Sequence, residues 1–257
     1  MANGSADQNL LTHTPHILSA WVDEHTISIA GKAVEEKSNE ITAIPDVLDS
    51  IDLTGAVVSI DAMGTQTDIA QMIVESEADY VLALKRNHRH LSEAVKDAFT
   101  GRYTQFTYST FDKDHGRVEE RIYTALRPQE VLDESQYEPW KNLSSLVQVE
   151  RLVTFSDGTE RRDKQYYLSS LLAEAVERIS TYIRGRWGIE NRLHWHLDVT
   201  FREDHCRAHK AYAAQNLNTI RKLSLAIVSQ RKDKLSIRKR LFTAALNINY
   251  LKELLKI

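Results

Sequence analysis

The sequence predicts an α/β fold in which helices flank a parallel sheet, and three observations support this prediction. Two apolar runs of strand length, at residues 56–60 and 80–84, lie on either side of a helical pattern at 67–77. This spacing is typical of parallel strands joined by a right-handed crossover. Residues 102–168 alternate in polarity around a Ser-Asp-Gly-Thr turn, which predicts antiparallel strands inserted into the α/β domain. From Leu171 onward the pattern is helical, so a helical C-terminal region is expected.

The remaining elements follow from local signals. Strand-like runs at 15–22 and 26–34 are split by three polar residues, a spacing that predicts a hairpin. Pro45 is expected to open a short helix, because proline is favoured in the first helical turn. Another helix is predicted over 90–98, and two or three more over 210–257. The predicted segments are a disordered stretch at 1–13, an α/β core at 14–101, the β-rich insertion at 102–168, and the helical remainder of the core at 169–257.

Composition narrows the class of protein. The 257 residues are 42% hydrophobic and 27% charged, as is usual for a soluble globular chain. No apolar stretch approaches the ~20 residues of a membrane span, and the N-terminus lacks a signal-peptide layout. Cys206 is the only cysteine, which favours a cytoplasmic protein and excludes an internal disulfide. The net charge of −3 excludes a uniformly basic surface but leaves room for a local basic face that binds DNA.

Asp61 is the first candidate functional residue. It ends the apolar run 56–60, and Gly64 and Thr65 separate it from a helix that begins at about Thr67. Such a continuous apolar run predicts a strand buried on both faces, and ligands of open α/β sheets gather at the carboxyl ends of strands. The alternative is a helix cap, for which Thr65 or Thr67 is better positioned. The position therefore favours a catalytic or metal-binding carboxylate.

Glu190 is the second candidate. It lies seven residues after Ile183, which belongs to an apolar helical stripe, so α-helical geometry predicts that it faces inward. A buried carboxylate needs a partner, and Arg186, four residues earlier, could form an ion pair with it. The functional alternative is a metal ligand facing Asp61. Mg²⁺ typically binds one or two carboxylates, and two such ions about 4 Å apart can activate water for phosphodiester cleavage.

Four blocks of sequence, matched in order and spacing, resemble transposases of the H-repeat-associated insertion-sequence group and together cover most of the chain. The blocks are EKSNEITAIP at 36–45, SIDAMGTQ at 59–66, YVLALK at 80–85, and RWGIEN with HWHLDV at 186–199.

The resemblance implies an RNase H-like fold with a DDE active site, in which two aspartates and a glutamate hold two divalent ions, Mg²⁺ or Mn²⁺. Such enzymes cut double-stranded DNA at transposon ends and join it to a target. By residue-wise carry-over, Asp61 resembles the second aspartate and Glu190 the glutamate, and the spacing from Arg186 to Glu190 also fits. The wider group's tyrosine, three residues before the arginine, is Ile183 here, and its lysine after the glutamate is Leu197.

The resemblance also implies a first aspartate at the end of an apolar strand upstream of residues 16–21. Asp7 follows no apolar strand, and Asp23 and Glu24 fall at a turn. We therefore expect an N-terminally truncated copy that lacks the first strand and the first acid. Such a chain should be catalytically impaired, and prone to aggregate because the missing strand leaves unpaired backbone groups on its neighbours.

Other polar residues have two interpretations each. Lys85 and Arg86 follow a strand end, where they either contact phosphate or belong to a solvated loop. Arg238, Lys239 and Arg240 either bind DNA phosphates or form an exposed helix face.

Two residues near Glu190 are candidate supporting groups. His194 shares the helix face of Glu190 and is a candidate for positioning it, and Asp198 is a weaker one. The histidines and Cys206 between 194 and 209 match no structural zinc pattern. Trp187 and Trp195 are interpreted as core residues.

Three functions follow from these features. The leading one is a DDE transposase, truncated and inactive, whose partners are DNA and Mg²⁺ or Mn²⁺. The alternative is a non-catalytic DNA-binding or regulatory remnant that competes with the intact enzyme. The third is a dimerisation module that forms a homodimer through the C-terminal helices. Nicking that depends on Asp61 and Glu190 separates the first from the others.

Overall fold

The computed structural model describes residues 17–34, 40–114, 116–208 and 212–256. The predicted disorder at 1–13, the start of the first strand and His209 lie outside these residues. By their contacts the residues form two units. We call Met1–Ser50 with Trp187–Ile257 the hairpin unit, and Ile51–Arg186 the sheet unit.

The hairpin unit begins with the predicted hairpin. Strands β1 (Ile17–Val22) and β2 (Ile27–Ala33) pair antiparallel, with a register shift between Ala20 and Trp21. The turn closes where the Thr26 N–H donates to the Asp23 carbonyl oxygen at 3.3 Å. The hairpin prediction is therefore confirmed.

Helix α1 (Glu40–Asp49) packs on both strands of this hairpin. Its buried face consists of Ala43, Ile44, Val47 and Leu48. Pro45 lies inside the helix, so the prediction that it opens the helix is wrong. Burial of the apolar face on either side of Pro45 offsets the hydrogen bond that proline cannot donate.

The sheet unit begins with the predicted strand–helix–strand element. Strands β3 (Val57–Ile60) and β4 (Asp79–Leu84) pair in parallel, and α2 (Thr67–Glu75) connects them. Helix α2 buries Ile69, Ala70 and Ile73, as its apolar periodicity predicts, except that Met72 is only half-buried. The parallel pairing is confirmed.

Strand β3 differs from its prediction in burial. Its four residues are all half-buried, whereas β4 is buried from Tyr80 to Leu84. The reason is position: among the described strands, β3 pairs only with β4 and so forms an edge of the sheet. The apolar run specified a strand correctly, but it did not specify burial on both faces.

Four antiparallel strands extend the sheet on the other side of β4. They give a six-stranded mixed sheet in the order β3-β4-β8-β7-β6-β5. The connection from β4 contains helix α3, and two short helices link β6 to β7. The bounds are α3 Arg89–Ala98, β5 Phe106–Asp114, β6 Arg117–Leu126, α4 Pro128–Val131, α5 Glu134–Tyr137, β7 Ser145–Phe155 and β8 Glu160–Ser169. The fold is thus mixed α/β, with the predicted antiparallel strands in the predicted segment.

One face of this sheet packs against helix α6 (Val176–Gly188). Tyr123, Val149 and Tyr167 from the sheet meet Ile179 and Ile183 from the helix in a buried cluster. The stripe of apolar residues predicted along this helix is therefore its core-facing side.

The chain continues from α6 through two π-helical segments, Ile189–His194 and His196–Thr200. Helices α7 (Ala213–Ser229), α8 (Ile237–Leu246) and α9 (Ile248–Leu255) follow in the hairpin unit. Ser236 and Asn247 cap the last two helices with side-chain oxygens, as N-cap residues commonly do. None of the described helices has the length and apolar character that crossing a membrane requires.

Candidate active site

Asp61 lies directly after β3, at the carboxyl end of the parallel strand pair, with an exposed side chain. Its Oδ1 accepts the backbone N–H groups of Met63 at 3.1 Å and Gly64 at 3.4 Å. These bonds fix the carboxylate within its own turn. Oδ2 receives no hydrogen bond from the described residues of the sheet unit, so it is free to bind a ligand.

The turn after Asp61 is held by Thr65, which is fully buried. The Thr65 hydroxyl lies 2.7 Å from the Ala83 carbonyl oxygen and 3.0 Å from that of Asp61. Neither Thr65 nor Thr67 caps α2, whose N-cap is Gln66 without a side-chain hydrogen bond. The expected threonine cap is wrong, because the Thr65 hydroxyl is used to join the ends of β3 and β4.

The loop after β4 completes this edge of the sheet. Asn87 Nδ2 donates to the Ala62 carbonyl oxygen at 2.5 Å, and His88 Nε2 lies 2.6 Å from the Thr65 carbonyl oxygen. His88 also packs edge-on against Trp140, with ring centroids 5.2 Å apart. The loop that carries Lys85 and Arg86 is therefore bound to the turn that carries Asp61.

Lys85 and Arg86 are both exposed. Neither forms an ion pair or a side-chain hydrogen bond with the residues that the structure describes. Arg89 differs, because it pairs with Glu93 at 3.0 Å on its own helix. Two unpaired cations thus stand on the loop next to the Asp61 turn, which suits either interpretation of the loop.

Glu190 lies in the first π-helical segment of the hairpin unit and is exposed. The Trp195 N–H donates to the Glu190 carbonyl oxygen, and the Phe201 N–H to that of His196 at 2.9 Å. These bonds span five residues rather than four, so the segment turns by less than 100° per residue. The prediction that Glu190 faces inward is wrong for this reason. Leu193 and Leu197 face the core instead, where they pack with Leu225 of α7.

The π-helical segments are tied to the hairpin of the same unit. Arg192 Nη1 lies 3.4 Å from Asp23 Oδ1 at the hairpin turn. Gly188 leaves room for this carboxylate, because a Cβ at that position would overlap it. Glu190 itself has no ion pair with the described residues of its unit.

Acidic neighbours surround the segment that follows Glu190. Burial raises the pKa of Asp198, and the negative charges of Asp204, Glu203 and Glu190 raise it further, against the opposing effect of His194. Asp198 is thus within electrostatic reach of both His194 and Glu190. The supporting role of His194 and Asp198 stays a prediction. His196 lies in the same segment, where burial lowers its pKa.

Arg186 lies at the end of the sheet unit. Its guanidinium is 6.0 Å from the centre of the Tyr167 ring, and Nε is buried without a hydrogen-bond partner among the described residues. Burial raises the pKa of Tyr167, and the charge of Arg186 partly opposes this rise. Arg186 is therefore placed against the sheet in its own unit.

Comparison with known proteins identifies the family. A family model described as the transposase DDE domain matches residues 16–227. The chain belongs to this DDE transposase family. The match includes both Asp61 and Glu190, so the two carboxylates lie inside the region that defines the family.

Individual relatives agree with this membership. The "H repeat-associated putative transposase YhhI" of Escherichia coli (strain K12) is 34% identical over 248 residues, which are 93% of this chain and 65% of that protein. The "Putative transposase YncI" of Escherichia coli O157:H7 is 34% identical over 264 residues, 98% of this chain and 66% of that protein. The chain thus spans about 65% of the length of these relatives. Among solved structures, a piggyBac transposase synaptic complex with hairpin DNA is similar over 94% of this chain and 48% of that chain, with 14% identity and a TM-score of 0.47.

The basic run near the C-terminus of this DDE-family chain has two parts. Arg238 and Lys239 are exposed. Arg240 is buried and donates to Asp233 Oδ1 at 2.8 Å, to the Val228 carbonyl oxygen at 3.0 Å and to the Asp233 carbonyl oxygen at 3.0 Å. Arg240 therefore links α7 to α8, and only the first two cations are available to a ligand.

Two aromatic residues flank Glu190 on the surface. Trp187 is 49% exposed and Trp195 is 51% exposed, so the prediction that both belong to the core is wrong.

Among the residues that the structure describes, no group of three His, Cys, Asp or Glu side chains is arranged to hold a metal ion. The candidate site residues of this DDE-family chain are therefore two carboxylates, Asp61 in the sheet unit and Glu190 in the hairpin unit.

Proposed function

We propose that this chain is the catalytic region of an insertion-sequence transposase with an RNase H-like fold, and that Asp61 and Glu190 are its metal-binding carboxylates. The observation that carries the proposal is the geometry of Asp61. An exposed carboxylate follows a parallel strand, and backbone N–H groups hold one of its oxygens while the other is left free. That is the position in which open α/β sheets bind their ligands.

The donor set fits a hard divalent cation, Mg²⁺ or Mn²⁺. Both ions prefer carboxylate oxygens, and both Asp61 and Glu190 offer exposed carboxylates that are not consumed by ion pairs in their own units. When bound, such an ion lowers the pKa of a water molecule and stabilises the leaving oxygen of a phosphodiester. The family to which the chain belongs supports this assignment.

The chain's own residues orient this chemistry. Met63 and Gly64 hold Asp61 through their N–H groups, and Thr65 fixes the turn to the neighbouring strand. In this proposal Lys85 and Arg86 contact DNA phosphates from the loop that is hydrogen-bonded to that turn. In this proposal His194 and Asp198 help to position Glu190, and Asp198 is within electrostatic reach of that carboxylate.

We further propose that cleavage by these 257 residues is strongly impaired. DDE chemistry, as the resemblance implies, uses three acids, and residue-wise carry-over finds a counterpart for two of them, Asp61 and Glu190. A site with two ligands should bind the ion weakly and position it poorly, because geometric error of about 1 Å costs roughly 10²-fold in rate. DNA binding should survive this defect.

A second candidate function is DNA binding without catalysis, for example as a competitor of intact transposase. The unpaired, exposed cations Lys85 and Arg86 favour it, because phosphate contacts alone supply sequence-independent affinity. Homodimer formation stays a prediction in either case.

The test combines plasmid nicking with duplex binding. Supercoiled plasmid is incubated with the chain and Mg²⁺ or Mn²⁺, and a labelled duplex is titrated in EDTA. We expect salt-sensitive binding and only trace nicking. Nicking that disappears in Asp61→Asn and Glu190→Gln but not in Asp68→Asn would establish catalysis and contradict the proposed impairment. Asp68 is a matched control, since it is an exposed aspartate in the first turn of α2. Absence of duplex binding at low salt would contradict both candidate functions.

A further inference from the structure

The sheet unit carries a second charged region, on the strands β5 to β7. On β6, residues at every second position share a face, so Glu119 and Arg121 continue the face on which Tyr123 packs against α6. In the strand register, Asp112 of β5 lies opposite Glu119, and Arg151 of β7 lies opposite Arg121. These four residues therefore lie together on the face of the sheet that α6 covers at its other end.

Ion pairs hold the arginines of this region in place. Buried Glu119 accepts Arg151 Nε at 2.8 Å and Arg151 Nη2 at 2.7 Å, and it also pairs with Arg121. Arg121 Nη1 reaches Asp112 Oδ2 at 2.9 Å, and Arg184 of α6 donates to the same oxygen at 2.5 Å. Three guanidinium groups are thus fixed by two carboxylates, which reduces the entropy that each would lose on binding an anion.

Most of these residues line an open cavity of about 230 Å³, which we call the arginine pocket. Its lining is made of four cations and two carboxylates, namely Lys113, Arg117, Arg121 and Arg184 with Asp112 and Glu119. Lys113 and Arg117 are exposed and form no ion pair with any residue that the structure describes. The pocket therefore has an excess of positive charge in a chain whose net charge is −3. A local excess of this kind attracts anions.

We propose that the arginine pocket binds a backbone phosphate of DNA. Guanidinium groups match the geometry of phosphate oxygens with paired N–H donors, and Arg117 keeps all of its donors unengaged by the described residues, while the fixed arginines add positive charge beside it. The opening to solvent suits a phosphate on a long polymer. This inference rests on the proposed function, in that DNA is the substrate, and it adds a contact region on the inserted strands that no step of cleavage requires.

The test measures binding of a labelled duplex by fluorescence anisotropy in EDTA, at several salt concentrations. The variant Lys113→Gln with Arg117→Gln removes two cations without breaking any ion pair among the described residues. The control Arg162→Gln with Lys164→Gln removes two cations of β8 that do not line the pocket and that both pair with Glu150. We expect the pocket variant to bind about 10-fold more weakly, with a salt slope smaller by about 1–2, because two phosphate contacts are lost. The control variant should lose much less affinity for the duplex.

Three results would overturn the inference. These are an unchanged affinity in the pocket variant, an equal loss in both variants, and saturable displacement of the duplex by inorganic phosphate beyond that by chloride at equal ionic strength. The last result would assign the pocket to free phosphate. Arg184→Gln, with its melting temperature measured alongside, provides a second variant and should weaken binding further. Because the assay contains EDTA, its outcome is independent of metal binding at Asp61 and Glu190, so the failure of one proposal is distinguishable from the failure of the other.

Discussion

The hydroxyl of Thr65 lies 2.7 Å from the carbonyl oxygen of Ala83, and this contact joins the carboxyl ends of the two parallel strands. Thr65 follows Asp61 by four residues and also lies 3.0 Å from its carbonyl oxygen. The backbone around the candidate metal ligand is thus fixed by a buried side chain that touches no ligand itself.

Thr65→Val should lower the free energy of unfolding by about 1–2 kcal/mol. The substitution keeps the shape of the side chain but leaves two carbonyl groups without the hydroxyl donor, and a buried group that loses its partner costs about this much. Urea denaturation measures the change. Thr104→Val, at an exposed loop position, is the control and should change stability by less than about 0.5 kcal/mol. Equal stability of both variants would show that the Thr65 hydroxyl contributes nothing.

Lys85→Gln with Arg86→Gln should weaken duplex binding without destabilising the fold. Both side chains are exposed and unpaired among the described residues, so their removal costs only phosphate contacts. The logarithmic salt slope of the affinity should decrease by about 1–2. Arg89→Gln is the control, because Arg89 already pairs with Glu93. An unchanged slope in the double variant would favour the solvated-loop interpretation.

Arg240→Met should destabilise the fold by about 1–3 kcal/mol, because it removes the donor to the Val228 and Asp233 carbonyl oxygens and to the Asp233 carboxylate. Arg238→Met, two positions earlier on the exposed side of α8, should change stability by less than about 0.5 kcal/mol. Thermal and urea unfolding of the two variants compare a structural arginine with a surface one. Similar stabilities would contradict the role given to Arg240.

Asp233 should make the stability depend on pH in the acid range. Burial opposes its ionisation, but hydrogen bonds from Arg240, the Leu235 N–H and Tyr250 lower its pKa from 3.8 to about 2. Since the pKa is lower in the folded state than in the unfolded state, the stabilisation is complete above about pH 3.8 and disappears as the pH falls towards 2. Asp233→Asn should therefore be less stable than the unsubstituted chain at neutral pH, and the difference should shrink on acidification. Asp49→Asn, at an exposed position, is the control variant.

Local pattern was sufficient to predict most of the sheet. The apolar runs before Asp61 and Lys85 specified parallel strands, and the alternation around Gly158 specified antiparallel ones. The position of Asp61 at a strand end followed directly. Its turn geometry did not, because nothing in the sequence distinguishes a threonine that caps a helix from one that joins two strands.

The orientation of Glu190 could not be predicted, because an α-helical period of 3.6 residues was assumed. A change to five-residue hydrogen bonds after Gly188 shifts every later side chain, Glu190 and Trp195 included, whereas Trp187 precedes the change and is exposed at the end of α6. Apolar residues at 189, 193 and 197 do not indicate this change, because an ordinary α-helix also keeps every fourth residue on one face. The network around Glu119 was also missed, because it depends on strand register between three strands.

The most direct test of the central claim is a titration of Mn²⁺ followed by electron paramagnetic resonance. The unsubstituted chain, Asp61→Asn, Glu190→Gln and the control Asp68→Asn are compared, each with a thermal melt to confirm folding. The account predicts that the unsubstituted chain and Asp68→Asn bind the ion, and that each of the other two variants loses this binding. Folded Asp61→Asn and Glu190→Gln variants that bind Mn²⁺ as well as the unsubstituted chain would contradict the assignment of these carboxylates as metal ligands.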